Sequence, residues 1–183
     1  TFVHTPLTSP RWVAVGPDDA VYVAGTQPAA DAHGASLIVR IAKDGRQTVL
    51  GSGPNLPLGL AVDRSGAAYC IDGVSRHLLR IQPDGHTETV GPLAGTPAAL
   101  ALDRQGNVYV GDYTNYGNPV GLVGARANGT RILKIWPDGR QTTVVMGGIA
   151  YPSALAVDRA GTLYVLDSTD KVLKVDAGAT RPQ

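Results

Sequence analysis

The residues with the clearest capacity for acid–base chemistry are two histidines, His33 and His77. Each falls in a loop after an apolar, strand-like stretch, and each has an aspartate close by in sequence, Asp31 and Asp72. A histidine titrates near neutral pH, and a neighbouring carboxylate can orient its ring. Each pair is therefore a candidate general base with its orienting group. The alternative for both histidines is a solvated loop side chain.

Few other residues have a type and a position in the sequence that suit a catalytic role. Tyr113 or Tyr116 would supply the acid for either histidine, whereas His4 falls on a predicted outermost strand and His86 beside a predicted turn. The sequence contains no Gly-x-Ser-x-Gly nucleophile motif and no His-Glu-x-x-His zinc motif. Its one cysteine rules out an intrachain disulfide and a paired-cysteine metal site.

Three aspartates, Asp72, Asp112 and Asp167, recur at one position of a repeated pattern. Repetition favours a structural role, such as accepting main-chain N–H groups of a neighbouring loop. Three carboxylates converging on one opening would alternatively bind a hard cation through oxygen ligands. The sequence predicts no other cofactor.

These residues are positioned by a sequence repeat that occurs four times. Its clearest form is PSALAVDRAGTLYVLD at Pro152–Asp167, and related stretches lie at Pro57–Asp72, Pro97–Asp112 and, more divergent, Pro10–Gly25. Each stretch reads as two short strands joined by a turn, and a third and a fourth strand follow around an Asp-Gly turn. A period of about 40 to 50 residues with this content is typical of β-propeller blades. The predicted fold is all-β, with four four-stranded antiparallel blades.

The ends of the chain predict how the blades would close. The last repeat stops after its third strand, and Thr1–Val3 resembles the fourth strand of the other repeats. Pairing of Thr1–Val3 into the last blade would close the ring within one chain and remove two unpaired edges. A monomer is the preferred prediction. The alternatives are a disordered N-terminal tail and a strand-sharing dimer that forms an eight-bladed ring.

The domain prediction is one β-propeller over residues 1–183. Its blades cover about 10–50, 57–91, 97–146, and 152–176 with 1–4.

The pattern of Pro152–Asp167, followed by Val-Leu-Lys-Val at Val172–Val175, resembles the NHL repeat. It is also similar to the bacterial kinase sensor propellers, the streptogramin lyases and the gluconolactonase-like propellers. The resemblance implies the propeller fold. It leaves function open, because this superfamily includes binding platforms as well as enzymes.

The variable loops of the repeats indicate where a ligand would bind. In a four-stranded blade, the loops between strands two and three emerge on the same side as the loops between blades; we call this side the loop face. The opposite side, the turn face, carries the short Asp-Arg-x-Gly and Asp-Gly turns. Function tends to lie on variable loops, here Thr26–Ser36, Gly73–His77, Tyr113–Thr130 and Ser168–Lys171. The predicted ligand-binding residues are Arg11, Trp12, Asp31, His33, Arg76, His77, Tyr113, Asn115, Tyr116 and Arg126.

Trp12 stands out because the other repeats have a small residue at its position. Its indole ring would either stack on a ligand or plug the central axis.

The preferred function is a binding module that recognises a small molecule, a protein or a peptide on the loop face. The alternative is a lyase, hydrolase or cyclase with His33 or His77 as base, and a third hypothesis makes the chain a trimmed fragment of a larger receptor. A net charge of +1 gives no basic surface for nucleic acid, and no apolar run is long enough to insert in a membrane. The residue usage indicates a bacterial source, and both a cytoplasmic and an extracytoplasmic location fit the sequence.

Overall fold

The protein is all-β throughout the residues that the computed structural model describes, which are 6–26, 36–52, 54–113 and 130–175. Strands of five to seven residues alternate with tight turns, as the repeat predicts. The strands are β1 (Ser9–Val15), β2 (Val21–Thr26), β3 (Ser36–Ile41), β4 (Gln47–Ser52), β5 (Pro57–Val62), β6 (Ala68–Asp72), β7 (His77–Ile81), β8 (Thr87–Pro92), β9 (Pro97–Leu102), β10 (Val108–Tyr113), β11 (Thr130–Ile135), β12 (Gln141–Met146), β13 (Pro152–Val157), β14 (Leu163–Asp167) and β15 (Lys171–Val175).

The strands form four antiparallel sheets, and each sheet follows the chain order of its strands. The orders are β1-β2-β3-β4, β5-β6-β7-β8, β9-β10-β11-β12 and β13-β14-β15, which we number blades 1 to 4. Within the described residues, blade 4 ends at its third strand. The predicted closing strand Thr1–Val3 lies outside the described residues, so ring closure stays a prediction.

The Asp-Arg-x-Gly turns are built by their aspartates. Asp63 Oδ1 accepts the main-chain N–H groups of Ser65 at 2.8 Å and Ala67 at 3.1 Å. Gly66 follows with φ +86°, a left-handed conformation that favours glycine. Asp63 forms its ion pair with Arg80, which lies on β7 of the same sheet. The distance from Arg80 Nη2 to Asp63 Oδ2 is 3.6 Å. The repeated aspartates therefore shape the turns that join the first two strands of a blade.

The chain divides into two compact units, 1–92 and 93–183, each containing two blades. In the first unit, Tyr22, Ala24 and Ile38 of blade 1 form one buried cluster with Leu60 and Cys70 of blade 2. In the second unit, the cluster joins Tyr109, Ile132 and Ile149 to Leu163 and Val165 of blade 4. In each unit the core thus lies between two neighbouring sheets. The domain bounds of 1–183 stay a prediction.

Cys70 belongs to the core of the first unit. It is fully buried, and its Sγ lies 3.0 Å from the main-chain oxygen of Gly59. Burial raises the pKa of the Cys70 thiol to about 12, because a thiolate would lose its hydration. The thiol is therefore protonated at neutral pH, and Cys70 acts as a small apolar core residue.

No helix in the described part of the chain could cross a membrane.

Candidate functional site

The loop face of blades 3 and 4 carries an aromatic pair, Tyr113 and Tyr151. Their ring centroids are 4.7 Å apart and the ring planes are tilted by 51°. Tyr113 ends β10, at the base of the longest variable loop, and Tyr151 directly precedes β13. Tyr151 is 37% exposed, so this ring remains partly open to solvent. The described part of the loop face therefore presents two adjoining aromatic rings.

Two buried aspartates hold the aromatic pair in place. Asp112 Oδ1 accepts the N–H of Thr96 at 2.7 Å, and the N–H of Tyr113 donates to the Thr96 carbonyl at 3.2 Å. On the other side, Asp167 accepts the N–H groups of Ala150 at 3.0 Å and Tyr151 at 3.3 Å. Each tyrosine is thus attached to a loop whose backbone is tied to a carboxylate.

Arg131 lies on the strand beside Asp112 and fixes the incoming loop of blade 3. Its Nε donates to Asp112 Oδ2 at 2.8 Å, and its Nη2 donates to the Ala94 carbonyl at 2.8 Å. Through these two hydrogen bonds, the guanidinium attaches the loop that leads into blade 3 to the buried Asp112.

The recurring aspartates have the structural role that their repetition favours. Asp72 accepts N–H groups of Asn55 at 3.2 Å and of Val74 and Ser75 at 2.9 Å each. Burial opposes the ionisation of Asp167, but N–H donors from Ala150, Thr169 and Tyr151 outweigh burial and lower its pKa.

The cation alternative for these aspartates stays a prediction. Within the described ranges, no group of three or more histidine, cysteine, aspartate or glutamate side chains is arranged to hold a metal ion.

His77 begins β7 and is partly exposed. Its Nδ1 lies 2.9 Å from the Ser75 carbonyl, an arrangement that requires a proton on Nδ1 and leaves the Nε2 lone pair as the base. The predicted orienting group, Asp72, instead directs its oxygens to main-chain donors. In the described residues, the Asp72 carboxylate thus caps the tight turn at 73–76, and its role as the orienting group of His77 stays a prediction. Arg76 is exposed in that turn, with φ +57°.

Trp12 has a structural contact that the sequence did not reveal. Its indole Nε1–H donates to the Pro57 carbonyl at 2.8 Å, and the side chain packs against the core of the first unit. The tryptophan thus attaches the first strand of blade 1 to the first strand of blade 2. Arg11 beside it is exposed.

Five of the predicted site residues lie outside the described residues and stay predictions. They are Asp31, His33, Asn115, Tyr116 and Arg126.

Tyr151 was not among the site residues predicted from the sequence. It occupies the position before the repeat proline, where the other repeats have Ser9, Leu56 and Thr96. The same comparison that singled out Trp12 would have found it.

The turn face of the first unit contains a cleft of about 350 Å³. Arg40 pairs with Asp18 inside it, and the Tyr22 hydroxyl donates to the Gly66 carbonyl at 3.2 Å. These polar groups are satisfied by one another and connect blade 1 to blade 2. We therefore assign the cleft a structural role.

The sheet order and the four repeated blades define a β-propeller, and the chain superimposes on solved structures of propeller fold. A structural-genomics target assigned to the gluconolactonases superimposes with a TM-score of 0.67 at 19% identity, over 97% of this chain and 62% of that one. A streptogramin B lyase superimposes with a TM-score of 0.63 at 17% identity, over 94% of this chain and 56% of that one. A calcium-binding regucalcin from Agrobacterium tumefaciens strain C58 superimposes with a TM-score of 0.64 at 16% identity, over 91% of this chain and 60% of that one.

These identities show the fold alone, and the chain spans about three fifths of the length of each of these structures. No protein-family profile and no curated protein sequence matches the chain.

Proposed function

We propose that this propeller is a binding module that takes a neutral ring on its loop face, from a small organic molecule or from a peptide side chain. The tilted pair of Tyr113 and Tyr151 carries the proposal. Aromatic rings bury much surface at little entropic cost, and they pack favourably against other rings. Ligand sites commonly combine such surfaces with a few fixed polar groups.

The electrostatics of the pair favour a neutral ligand. Burial raises the pKa of Tyr151, and the neighbouring Tyr113 adds to the shift. The Tyr151 hydroxyl therefore stays protonated at neutral pH and offers a hydrogen-bond donor. The nearby ionic groups, Asp112 and Arg131, are paired with each other and with main-chain groups. They are not available to balance a charge on a ligand.

Replacing Tyr151 by Ala should weaken ring binding about tenfold, because an aromatic contact contributes about 1 to 1.5 kcal/mol. Tyr151→Phe keeps the ring and should keep most of the affinity. Saturation-transfer NMR with phenyl β-glucoside, glucono-lactone and N-acetyltyrosine amide would measure the affinities of the wild-type protein and of both variants.

Tyr164→Ala is the matched control for this experiment. It removes a tyrosine of the same unit whose hydroxyl contacts Asp158 on the turn face, and it should leave ring binding unchanged. Equal affinity of Tyr151→Ala and the wild-type protein, or no binding of any probe, would contradict the proposal.

An enzyme is the second candidate, and the orientation of His77 is the observation that favours it. A ring held through Nδ1 by the Ser75 carbonyl presents Nε2 as a general base. His33 remains the other predicted base. Two of the similar structures are described as a gluconolactonase and a lyase, which supports a test with lactone and ester substrates.

His77→Gln should reduce lactone or ester turnover at least 100-fold in the enzyme case, since general acid–base catalysis contributes about 10²–10⁴-fold. The matched control is His86→Gln, because His86 is exposed at a turn of the same blade on the opposite face. Under the binding proposal, neither variant changes ring binding by more than about twofold.

A further inference from the structure

The third strand of every blade carries a cation directly opposite the repeat tyrosine. In blade order these cations are Arg40, Arg80, Lys134 and Lys174. In blade 1, Arg40 forms an ion pair with Asp18. In blade 2, Arg80 lies 3.6 Å from Asp63 through Nη2 and 3.6 Å from Glu88 through Nη1. Both blades of the first unit therefore supply a carboxylate to this cation.

In blade 3, the aspartate of the first turn is occupied by other groups. Asp103 is the counterpart of Asp63, and its Oδ2 accepts hydrogen bonds from Asn107 Nδ2 at 2.7 Å and from the Tyr109 hydroxyl at 3.3 Å. Burial raises the pKa of Tyr109 to about 12, so its hydroxyl keeps the proton that it donates. Asp103 is thus directed to the turn and to the tyrosine.

The second carboxylate of blade 2 has no equivalent in blade 3. Glu88 stands directly opposite Arg80 on the neighbouring strand, whereas Thr142 stands opposite Lys134. Within the residues that the structure describes, Lys134 forms no ion pair with a carboxylate. Its ammonium group therefore keeps its charge uncompensated.

Lys134 is held in place by two aromatic rings. Its Nζ lies 5.5 Å from the centroid of the Tyr109 ring and 5.6 Å from that of the Trp136 ring. The Cζ of Arg140 lies 5.4 Å from the same Trp136 ring. Aromatic rings attract cations through their quadrupole but carry no net charge. Two cations are therefore gathered at one indole, and only Arg140 has a carboxylate partner, Asp138.

Trp136 is a departure from the repeat. The same position, two residues before the Asp-Gly turn, holds Ala42 in blade 1 and Gln82 in blade 2. Neither of those side chains offers a ring to a cation. The tryptophan thus fixes Lys134 and Arg140 at a place where the other complete blades have no such support.

The turn face of blade 3 has an excess of positive charge. Arg104 is exposed on the first turn, and that turn adjoins the second, because a Cβ added at Gly106 would lie 3.7 Å from Pro137 Cγ. The charged side chains of the two turns and of the strand between them are three cations and two carboxylates, namely Arg104, Lys134, Arg140, Asp103 and Asp138. One further carboxylate would balance them.

We propose that the turn face of blade 3 binds an acidic segment of a partner protein, with a glutamate or aspartate carboxylate on Lys134. The chain itself indicates this chemistry, because Glu88 supplies such a carboxylate in blade 2. Sites for small molecules are concave, whereas the turn residues Arg104, Pro137 and Arg140 are exposed. A carboxylate presented by a polypeptide can reach such a surface, and charge complementarity gives specificity. The site is separate from the ring site on the loop face and does not depend on it.

Binding of a capped triglutamate peptide tests this proposal. The peptide carries an uncharged dye, and fluorescence anisotropy is measured with the full chain at low salt, since salt screens exposed charges. Lys134→Gln should weaken binding about fivefold. Lys174→Gln is the matched control, because Lys174 has the same repeat position in blade 4 but is exposed on β15. It should leave the affinity unchanged.

Thr142→Glu gives an independent readout, because it places a carboxylate opposite Lys134, as Glu88 is placed in blade 2. The variant should fill the site from within and also weaken peptide binding about fivefold. Circular dichroism checks its folding, and the Lys134→Gln result decides if it does not fold.

Four results would overturn the proposal. They are no binding of the peptide to the wild-type protein, an equal loss in Lys174→Gln, undiminished binding by folded Thr142→Glu, and displacement of the peptide by an equal concentration of glutarate. The last result would identify a site for a free organic acid.

Discussion

Replacing Asp112 by Ala is expected to lower the free energy of unfolding by about 3 kcal/mol. Asp112 is 1% exposed, and it accepts hydrogen bonds from Thr96 N–H and Arg131 Nε. Its removal leaves a donor and a partly buried guanidinium without their acceptor. Breaking a buried ion pair by deleting one partner typically costs about 3 to 5 kcal/mol, and the partial exposure of Arg131 places this case at the lower end.

Urea denaturation of wild-type and variant protein, followed by circular dichroism, measures the loss. The matched control is Asp138→Ala, because Asp138 also pairs with an arginine Nε, that of Arg140, at 2.7 Å but on the exposed surface. It should cost little, since exposed ion pairs contribute weakly. If both variants lose the same stability, burial of the Asp112 pair is not the cause.

Gly25→Asp, which restores the residue of the other three repeats, is expected to destabilise the protein by about 3 kcal/mol. A Cβ added at Gly25 would lie 2.4 Å from the Ser9 main-chain oxygen and 2.8 Å from Pro10 Cα. Both contacts are with backbone, so no flexible side chain can move aside. Overpacking of this kind costs about 1 to 3 kcal/mol, and the charge adds to the cost.

Gly25→Ala separates the two contributions. If the clash dominates, the alanine variant already shows most of the loss in thermal denaturation. If the alanine variant is as stable as wild type and only the aspartate variant is weakened, the steric account is wrong. Gly45→Ala is the control: its Cβ would meet no atom within 4 Å, so only the strain of φ +84° applies.

The strands could be predicted from the sequence because their signals are local. The Asp-Arg-x-Gly turn and the strand-forming residues after it predicted a strand at Ala68–Ile71, and the structure has β6 at Ala68–Asp72. The structural role of Asp112 and Asp167 was predicted from their repetition, since the same residue recurs at this position in three of the four repeats. These inferences need no knowledge of tertiary contacts.

The site could be predicted only in part, because it depends on contacts between residues far apart in sequence. Tyr113 was identified from the variable loop, but its partner Tyr151 is 38 positions away (151 − 113) and belongs to the loop entering another blade. Trp12 was identified as a departure from the repeat, but its bond to Pro57 depends on how two blades pack. A local pattern cannot distinguish an indole that binds a ligand from one that joins two sheets.

The aspartates at the ends of the second strands also bear on how such a chain can lengthen. Asp72, Asp112 and Asp167 bind the stretch of backbone that leads into their own blade, through Asn55, Thr96 and Ala150. A gene duplication that copies a blade together with its preceding loop therefore copies the fastening of that loop. The attachment of the entry loop therefore stays within one blade, whereas the apolar core is shared between neighbouring blades and must be matched by them.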